Sequence, residues 1–224
     1  MIKSKIETTR IENKLPVARE GLPFIVPGII ITALLFYWEV NSVAIPLGLM
    51  ILFTIYFFRD PERISNAGED AVLSPADGTI IDIRHIEAGN NNLGGPALKI
   101  SIFMSVFNVH VNRIPVKGRI SGITYNPGRF FSANLDKASE QNENNSVTLD
   151  AWNGQRIVFV QIAGLIARRI ACWIQAGDQV NAGQRFGLIR FGSRVDIYLP
   201  PGTRTDIRIK ERVTAGITVI GHLT

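Results

Sequence analysis

From Pro23 to Phe58 the chain reads PFIVPGIIITALLFYWEVNSVAIPLGLMILFTIYFF, and the one charge in that run is Glu39, near its middle. A single straight helix of this length would extend about 54 Å, far past a hydrocarbon core of about 30 Å. The run must therefore break or fold back. Breaking at Glu39-Val40-Asn41 leaves two apolar arms of about 16 and 17 residues, each about 25 Å long if helical, so a tight helical hairpin is expected. Lys3, Lys5, Arg10, Lys14 and Arg19 precede it, and Arg59 and Arg63 follow it. Basic flanks on both sides favour both ends at the cytoplasmic face of a membrane. The long charged leader, with no small-residue cleavage site after the apolar run, argues against a cleaved signal peptide. The competing reading is a buried hairpin in a soluble protein, but few soluble cores offer so many consecutive apolar residues.

Past Arg59 the composition turns to β-branched residues and glycine. Short alternating runs recur: TIIDIRHI, ALKISIF, RISGITY, RIVFVQIAG, FGLIRFG, RVDIYLP, TDIRIKE and GITVIGH. Turn formers such as PADG, AGNNNLGGP, NPG, WNG and NAG separate them, which predicts a mainly β, compact sandwich or barrel with few helices. Residues 1–63 are thus expected to form a basic leader, its first 20 residues a peripheral helix or tail, with a membrane-anchoring hairpin, and residues 64–224 a β domain. The polar segment 129–147 is expected to be a long loop or short helix beside the site. SPADGTIIDI and AGDQVNAGQRFGLIRFG resemble the two halves of a biotinyl/lipoyl-type β-domain. Carriers of that kind present a modifiable lysine, and none lies between Lys137 and Lys210. Net charge is +5, which suits an anionic membrane surface. No aromatic-basic array of the RNA-binding type accompanies it, so no nucleic-acid partner is expected. Cys172 is the single cysteine and cannot form an intrachain disulfide, as suits a reducing compartment; its surroundings, ARRIACWIQ, read as a buried strand.

The pair Gly192-Ser193 stands in the strand-like run RFGSRVDIYLP. Glycine leaves its carbonyl open to approach, and the next residue carries a hydroxyl able to attack it. Three further segments accompany the pair: YFFRDPER (Tyr56 to Arg63), SPADGTI (Ser74 to Ile80) and SIFMSVFNVHVNRIPVKG (Ser101 to Gly118). In this order the four resemble the phosphatidylserine decarboxylase proenzymes, in their short form, over roughly Tyr56 to Thr224.

The resemblance implies self-cleavage between Gly192 and Ser193 and conversion of Ser193 into a pyruvoyl group, the covalent cofactor. It implies a β-chain of residues 1–192 that stays with an α-chain of residues 193–224, and a membrane phospholipid as substrate. A nucleophilic serine needs a base and the base an orienting group. Of the three histidines, His85 and His222 lie in unremarkable contexts, whereas His110 lies inside the family-like motif. Asp77 has an ordinary explanation as a turn residue of PADG, but SPADG is the family's position for the aspartate that orients the histidine. Asp77, His110 and Ser193 then form a constellation resembling that of serine hydrolases. Arg113, Arg168 and Arg169 are candidates for gripping lipid phosphate or serine carboxylate, and no metal site is expected.

Two departures stand out. Longer family members carry a second histidine where this chain has Arg113, and a threonine after the serine where it has Arg194. One histidine, His110, is then left for both maturation and turnover, unless Arg113 shares the task. Three alternatives remain open: the same chemistry on archaetidylserine, the ether-lipid analogue; a non-enzymatic, membrane-anchored lipoyl-like adaptor; and a serine hydrolase of external substrates, against which the absence of GxSxG counts.

Overall fold

The computed structural model describes residues 15–87, 93–128, 142–164, 169–190 and 192–224. The leader up to residue 14, Arg168 and positions 129–141 of the expected loop lie outside the described residues. The chain divides into two compact units that meet in sequence between Glu62 and Arg63.

The first unit is a helical hairpin. Helix α1 (Leu22–Tyr37) and helix α2 (Asn41–Phe57) hold 16 and 17 residues, so the apolar arms foreseen in the sequence form within a residue of their expected ends. Pro23 sits in the first turn of α1, where its missing N–H costs nothing. Glu39 makes the turn in the left-handed region, at φ 59°. The helices approach closely because Gly28 has no side chain: a Cβ there would overlap Ile51 Cδ1. The two ends of the hairpin are tied together, since Ala18 N–H donates to Phe58 O at 2.7 Å and Asp60 N–H to Pro16 O at 2.8 Å. Outward from this narrow seam the surface is hydrocarbon: Ile30, Ile45, Leu49 and Leu52 are all more than half exposed. The stretch Arg19–Tyr37, of mean hydropathy 1.8, is long and apolar enough to cross a membrane, while Asn41–Phe57 is shorter.

The second unit is built of short strands: β1 (Ala71–Leu73), β2 (Gly78–Ile86), β3 (Ala97–Met104), β4 (Val111–Arg113), β5 (Gly118–Asn126), β6 (Asn144–Ala151), β7 (Arg156–Ile162), β8 (Ile170–Cys172), β9 (Gln179–Val180), β10 (Arg185–Ile189), β11 (Ser193–Leu199), β12 (Arg212–Val213) and β13 (Val219–His222). Eight of them form a curled sheet in the order β12-β2-β3-β11-β7-β6-β5-β9. A three-stranded sheet β4-β10-β8 and a pair β1-β13 complete the unit, and all pairings are antiparallel. Alternate residues of the central strands point into one core: Leu98, Ile100, Ile102 and Met104 from β3, Val195, Ile197 and Leu199 from β11, with Phe159 and Phe186 in edge-to-face contact. The unit is therefore mainly β, as expected. Of the two lipoyl-like stretches, the first supplies β2 to the eight-stranded sheet, and the second supplies β9 to the far edge of that sheet and β10 to the three-stranded one.

Two local expectations are corrected. TDIRIKE is not a strand; after a single bridge at Arg204, the residue before it, the run passes irregularly into a turn. In that turn Lys210 takes φ 74°, its N–H donates to Ile80 O, and Glu211 accepts the Arg208 N–H. Backbone partners inside the turn have won over a weak alternation. Conversely Asn144–Val147, expected in the loop, begins β6, because partners on β5 and β7 supply the pairing that polar side chains do not advertise. Cys172 ends β8 half-buried.

Candidate active site

Ser193 is the first residue of β11, fully buried, with its Cα in register with Met104 of β3. Gly192 before it takes φ 56°, a left-handed conformation that side chains resist, and a Cβ there would meet nothing within 4 Å. The scissile junction of the sequence reading is thus a glycine turn feeding a fixed strand. Ser193 faces the core, as Val195 and Ile197 do, and its hydroxyl donates to Met104 Sδ at 3.4 Å. A thioether is a weak acceptor, so the proton is loosely held.

Met104 also accepts from Asn112 Nδ2 at 3.6 Å. Behind Asn112 runs a buried amide chain: Gln161 Nε2 donates to Asn112 Oδ1 at 2.9 Å, and Asn145 Nδ2 to Gln161 Oε1 at 3.0 Å. These side chains come from β4, β7 and β6, so no sequence spacing announces the chain. Satisfied networks of this kind fix side chains in the core.

His110 is fully buried just before β4. Its Nδ1 lies 3.0 Å from Asn108 O, which can only accept, so Nδ1 carries a proton, and in the neutral tautomer of that ring the lone pair is on Nε2. Asn108 is itself held: its Oδ1 accepts from Ser105 N–H at 2.9 Å and from Ser105 Oγ at 2.8 Å. The segment FMSVFNVH is thus a rigid turn that presents a braced histidine.

Asp77 is seated elsewhere than on Nδ1 of His110. Its carboxylate is gripped at both oxygens by the Arg63 guanidinium, with NH2 to Oδ2 at 2.8 Å, and accepts the Ala215 N–H at 2.8 Å. Arg63 also donates to Ala215 O. A bidentate pair of this kind fixes both orientation and charge. In the sequence Arg63 is a basic flank of the hairpin and the end of the segment YFFRDPER, with nothing there to announce its pairing with Asp77. Asp77 and Asn108 nevertheless line one cavity of about 550 Å³, with Thr79, Phe103, Arg212 and Thr214.

Of the arginines picked out in the sequence, Arg113 is buried and donates to Gly183 O at 2.9 Å, Arg169 is exposed before β8, and Arg168 lies outside the described residues. Arg194, the departure after the serine, is 1% exposed on the opposite face of β11 from Ser193. It pairs with Asp196, which also meets Lys99 at 3.2 Å, and donates to Ser101 Oγ at 2.8 Å. Burying such a cluster adds little net stability, but it ties β11 to β3 beside the serine.

The phosphatidylserine decarboxylase family profile matches residues 50–221. A phosphatidylserine decarboxylase proenzyme of Syntrophus aciditrophicus is 48% identical over 92% of this chain and 96% of its own. One of Desulfotalea psychrophila is 46% identical over 95% of this chain and 99% of its own. One of Burkholderia cenocepacia is 47% identical, over 92% and 96%. A buried serine, a braced histidine and a carboxylate-lined cavity, in a chain with these relatives, define an enzyme of the decarboxylase class. More particularly, the chain belongs to the phosphatidylserine decarboxylase family.

Proposed function

We propose that this chain is a proenzyme that cuts itself between Gly192 and Ser193 and then decarboxylates phosphatidylserine to phosphatidylethanolamine. The observation that carries the reading is Ser193 itself: a fully buried hydroxyl behind a left-handed glycine, in a chain whose relatives are named as proenzymes of that activity.

In maturation, Ser193 Oγ adds to the Gly192 carbonyl while Nε2 of His110 takes its proton. The acyl group passes from nitrogen to oxygen, leaving an ester. Loss of the Ser193 α-proton expels Gly192 as a carboxylate, and the remaining dehydroalanine takes up water and loses ammonia, which leaves a pyruvoyl terminus. Asp77, on the cavity wall it shares with Asn108, is held in place by Arg63 and is the group we assign to supporting the imidazole during the transfer. The site fits a pyruvoyl group, because strand pairing to Met104 would fix a small keto group at residue 193 in a fully buried position.

That group would supply a ketone able to accept the electrons released as carbon dioxide leaves, so no external cofactor is needed. His110 then returns a proton to the lipid. The 193–224 fragment contributes β11, β12 and β13, each paired with strands from the other side of the cut; the two products therefore stay together as a heterodimer. The apolar hairpin holds the enzyme at the cytoplasmic face of the membrane that contains its substrate. The reading is tested with vesicles of phosphatidylserine labelled at the serine carboxyl. Wild-type protein should release labelled carbon dioxide and Ser193→Ala none; release by the alanine variant would contradict it.

A further inference from the structure

The thioether of Met104 has no hydrogen to give and can only accept. It meets Ser193 Oγ at 3.4 Å and Asn112 Nδ2 at 3.6 Å. An acceptor of this kind decides which way every amide behind it points. Asn112 has to turn its NH2 toward the sulfur, so its Oδ1 faces away and takes a hydrogen from Gln161 Nε2 at 2.9 Å. Gln161 Oε1 is then left to take one from Asn145 Nδ2 at 3.0 Å. The chain of amides therefore has a single polarity, and its donating end emerges beside Ser193.

Strand register puts these groups on the face that Ser193 occupies. Met104 pairs with Ser193 across β3 and β11, Gln161 with Val195 across β7 and β11, and Asn145 with Gln161 across β6 and β7. Val195 and Met104 belong to the common core, and Ser193 points the same way as Val195. Asn112 enters from β4, opposite Gly187 of β10, where a Cβ would stand 2.9 Å from Gln161 Nε2. Glycine at that position leaves the amide its room. Asn112, Gln161 and Asn145 are all buried.

Buried amides are costly unless each finds a partner, yet the last donor of this chain is spent on a sulfur. A carbonyl oxygen in the same place would be a far better acceptor. The conversion proposed above creates one, since residue 193 loses its hydroxyl and gains a keto oxygen. We propose that Asn112 is the catalytic hydrogen-bond donor to that keto oxygen, and that Gln161 and Asn145 are positioning residues that aim it. A donor fixed on this oxygen makes the ketone more electrophilic and stabilises the negative charge that gathers there. The inference rests on the function proposed above.

Its test uses full-length wild type, Asn112→Leu and Gln161→Glu, each produced with serine isotopically labelled at Cα. Asn112→Leu keeps the shape and removes the donor. Gln161→Glu keeps Asn112 but, when ionised, can only accept, so it turns the Asn112 NH2 away from residue 193. Self-cleavage is followed on a denaturing gel, the labelled ketone band by infrared spectroscopy, and turnover on phosphatidylserine vesicles. Both variants should cut themselves, show the ketone band at higher wavenumber than wild type, and lose about a hundredfold in kcat with little change in KM. A band that stays where it is in wild type, or a loss confined to KM, would overturn the assignment. So would failure of both variants to cut, which would make Asn112 a residue of maturation or folding. A wild type that shows no ketone band removes the proposed function and this inference with it, whereas a band that neither variant moves removes the inference alone.

Discussion

The hairpin and the β unit invert one another's chemistry. The hairpin leaves Ile30, Leu49 and Leu52 outside and buries its seam at Ile25, Gly28, Ala44 and Ile51 and its base at Phe57 and Phe58. The β unit puts Arg194, Asp196, Lys99, His110, Asn112, Gln161 and Ser193 inside. In water the first arrangement exposes a large apolar surface and the second sets charges in a low dielectric, each at a cost. The difference teaches that each unit answers a different need: the hairpin suits hydrocarbon as its solvent, and the β unit holds reactive groups in fixed positions.

The variants that break this contrast hardest lie in the β unit. Ser193→Ala should leave the chain full-length on a denaturing gel and without decarboxylase activity, because the proposed chemistry draws both its nucleophile and its pyruvoyl group from Ser193. His110→Ala should also block maturation; normal cutting with no turnover would confine His110 to decarboxylation and turn attention to Arg113. Asp77→Asn should slow cleavage, by up to about ten-thousandfold if its charge supports the imidazolium as in comparable triads, and a time course over days would read the residue that remains. Arg63→Ala should act in the same direction, because it releases the same carboxylate.

The hairpin is challenged by Leu49→Lys. A charge on that exposed face should lower the share of protein that sediments with membranes, at a cost of about 2.5–3.5 kcal/mol at the centre of a bilayer, while self-cleavage proceeds. Unchanged sedimentation would remove hydrocarbon as the reason for that surface. The smallest effect is expected at Asp70, where the hydrogen bond from His222 holds the carboxyl below its ordinary value of 3.8. A depressed folded-state value means the contribution is present above about pH 4 and is lost as pH falls through the lower folded value. A His222→Asn variant should therefore differ slightly from wild type in thermal melting at neutral pH and converge with it in acid.

How much of this was legible depended on distance along the chain. The hairpin was readable because composition alone sets it: an apolar run too long for one crossing, with Glu39 and Asn41 at its centre. Strands such as β2, β3, β7 and β11 were readable because one face meets the core and the alternation is local. TDIRIKE misled because alternation over a few residues is weak against a turn with good backbone partners, and β6 was hidden because its support comes from neighbours on both sides. The candidate site residues Ser193, His110 and Asp77 stood out through motifs. Their partners did not: Arg63 reaches Asp77 from outside its motif, and Asn112, Gln161 and Asn145 meet only when β4, β7 and β6 come together. Register between distant strands carries that information, and sequence spacing does not.

The central claim, that the left-handed glycine and the buried serine form a self-cleaving junction, is tested most directly by intact-mass spectrometry of purified protein active on phosphatidylserine. The account predicts two chains, residues 1–192 and 193–224, with the shorter one beginning in pyruvoyl and therefore lighter than a serine start by the loss of ammonia. A protein that decarboxylates while remaining a single uncut chain, or whose shorter fragment begins with intact serine, would contradict it.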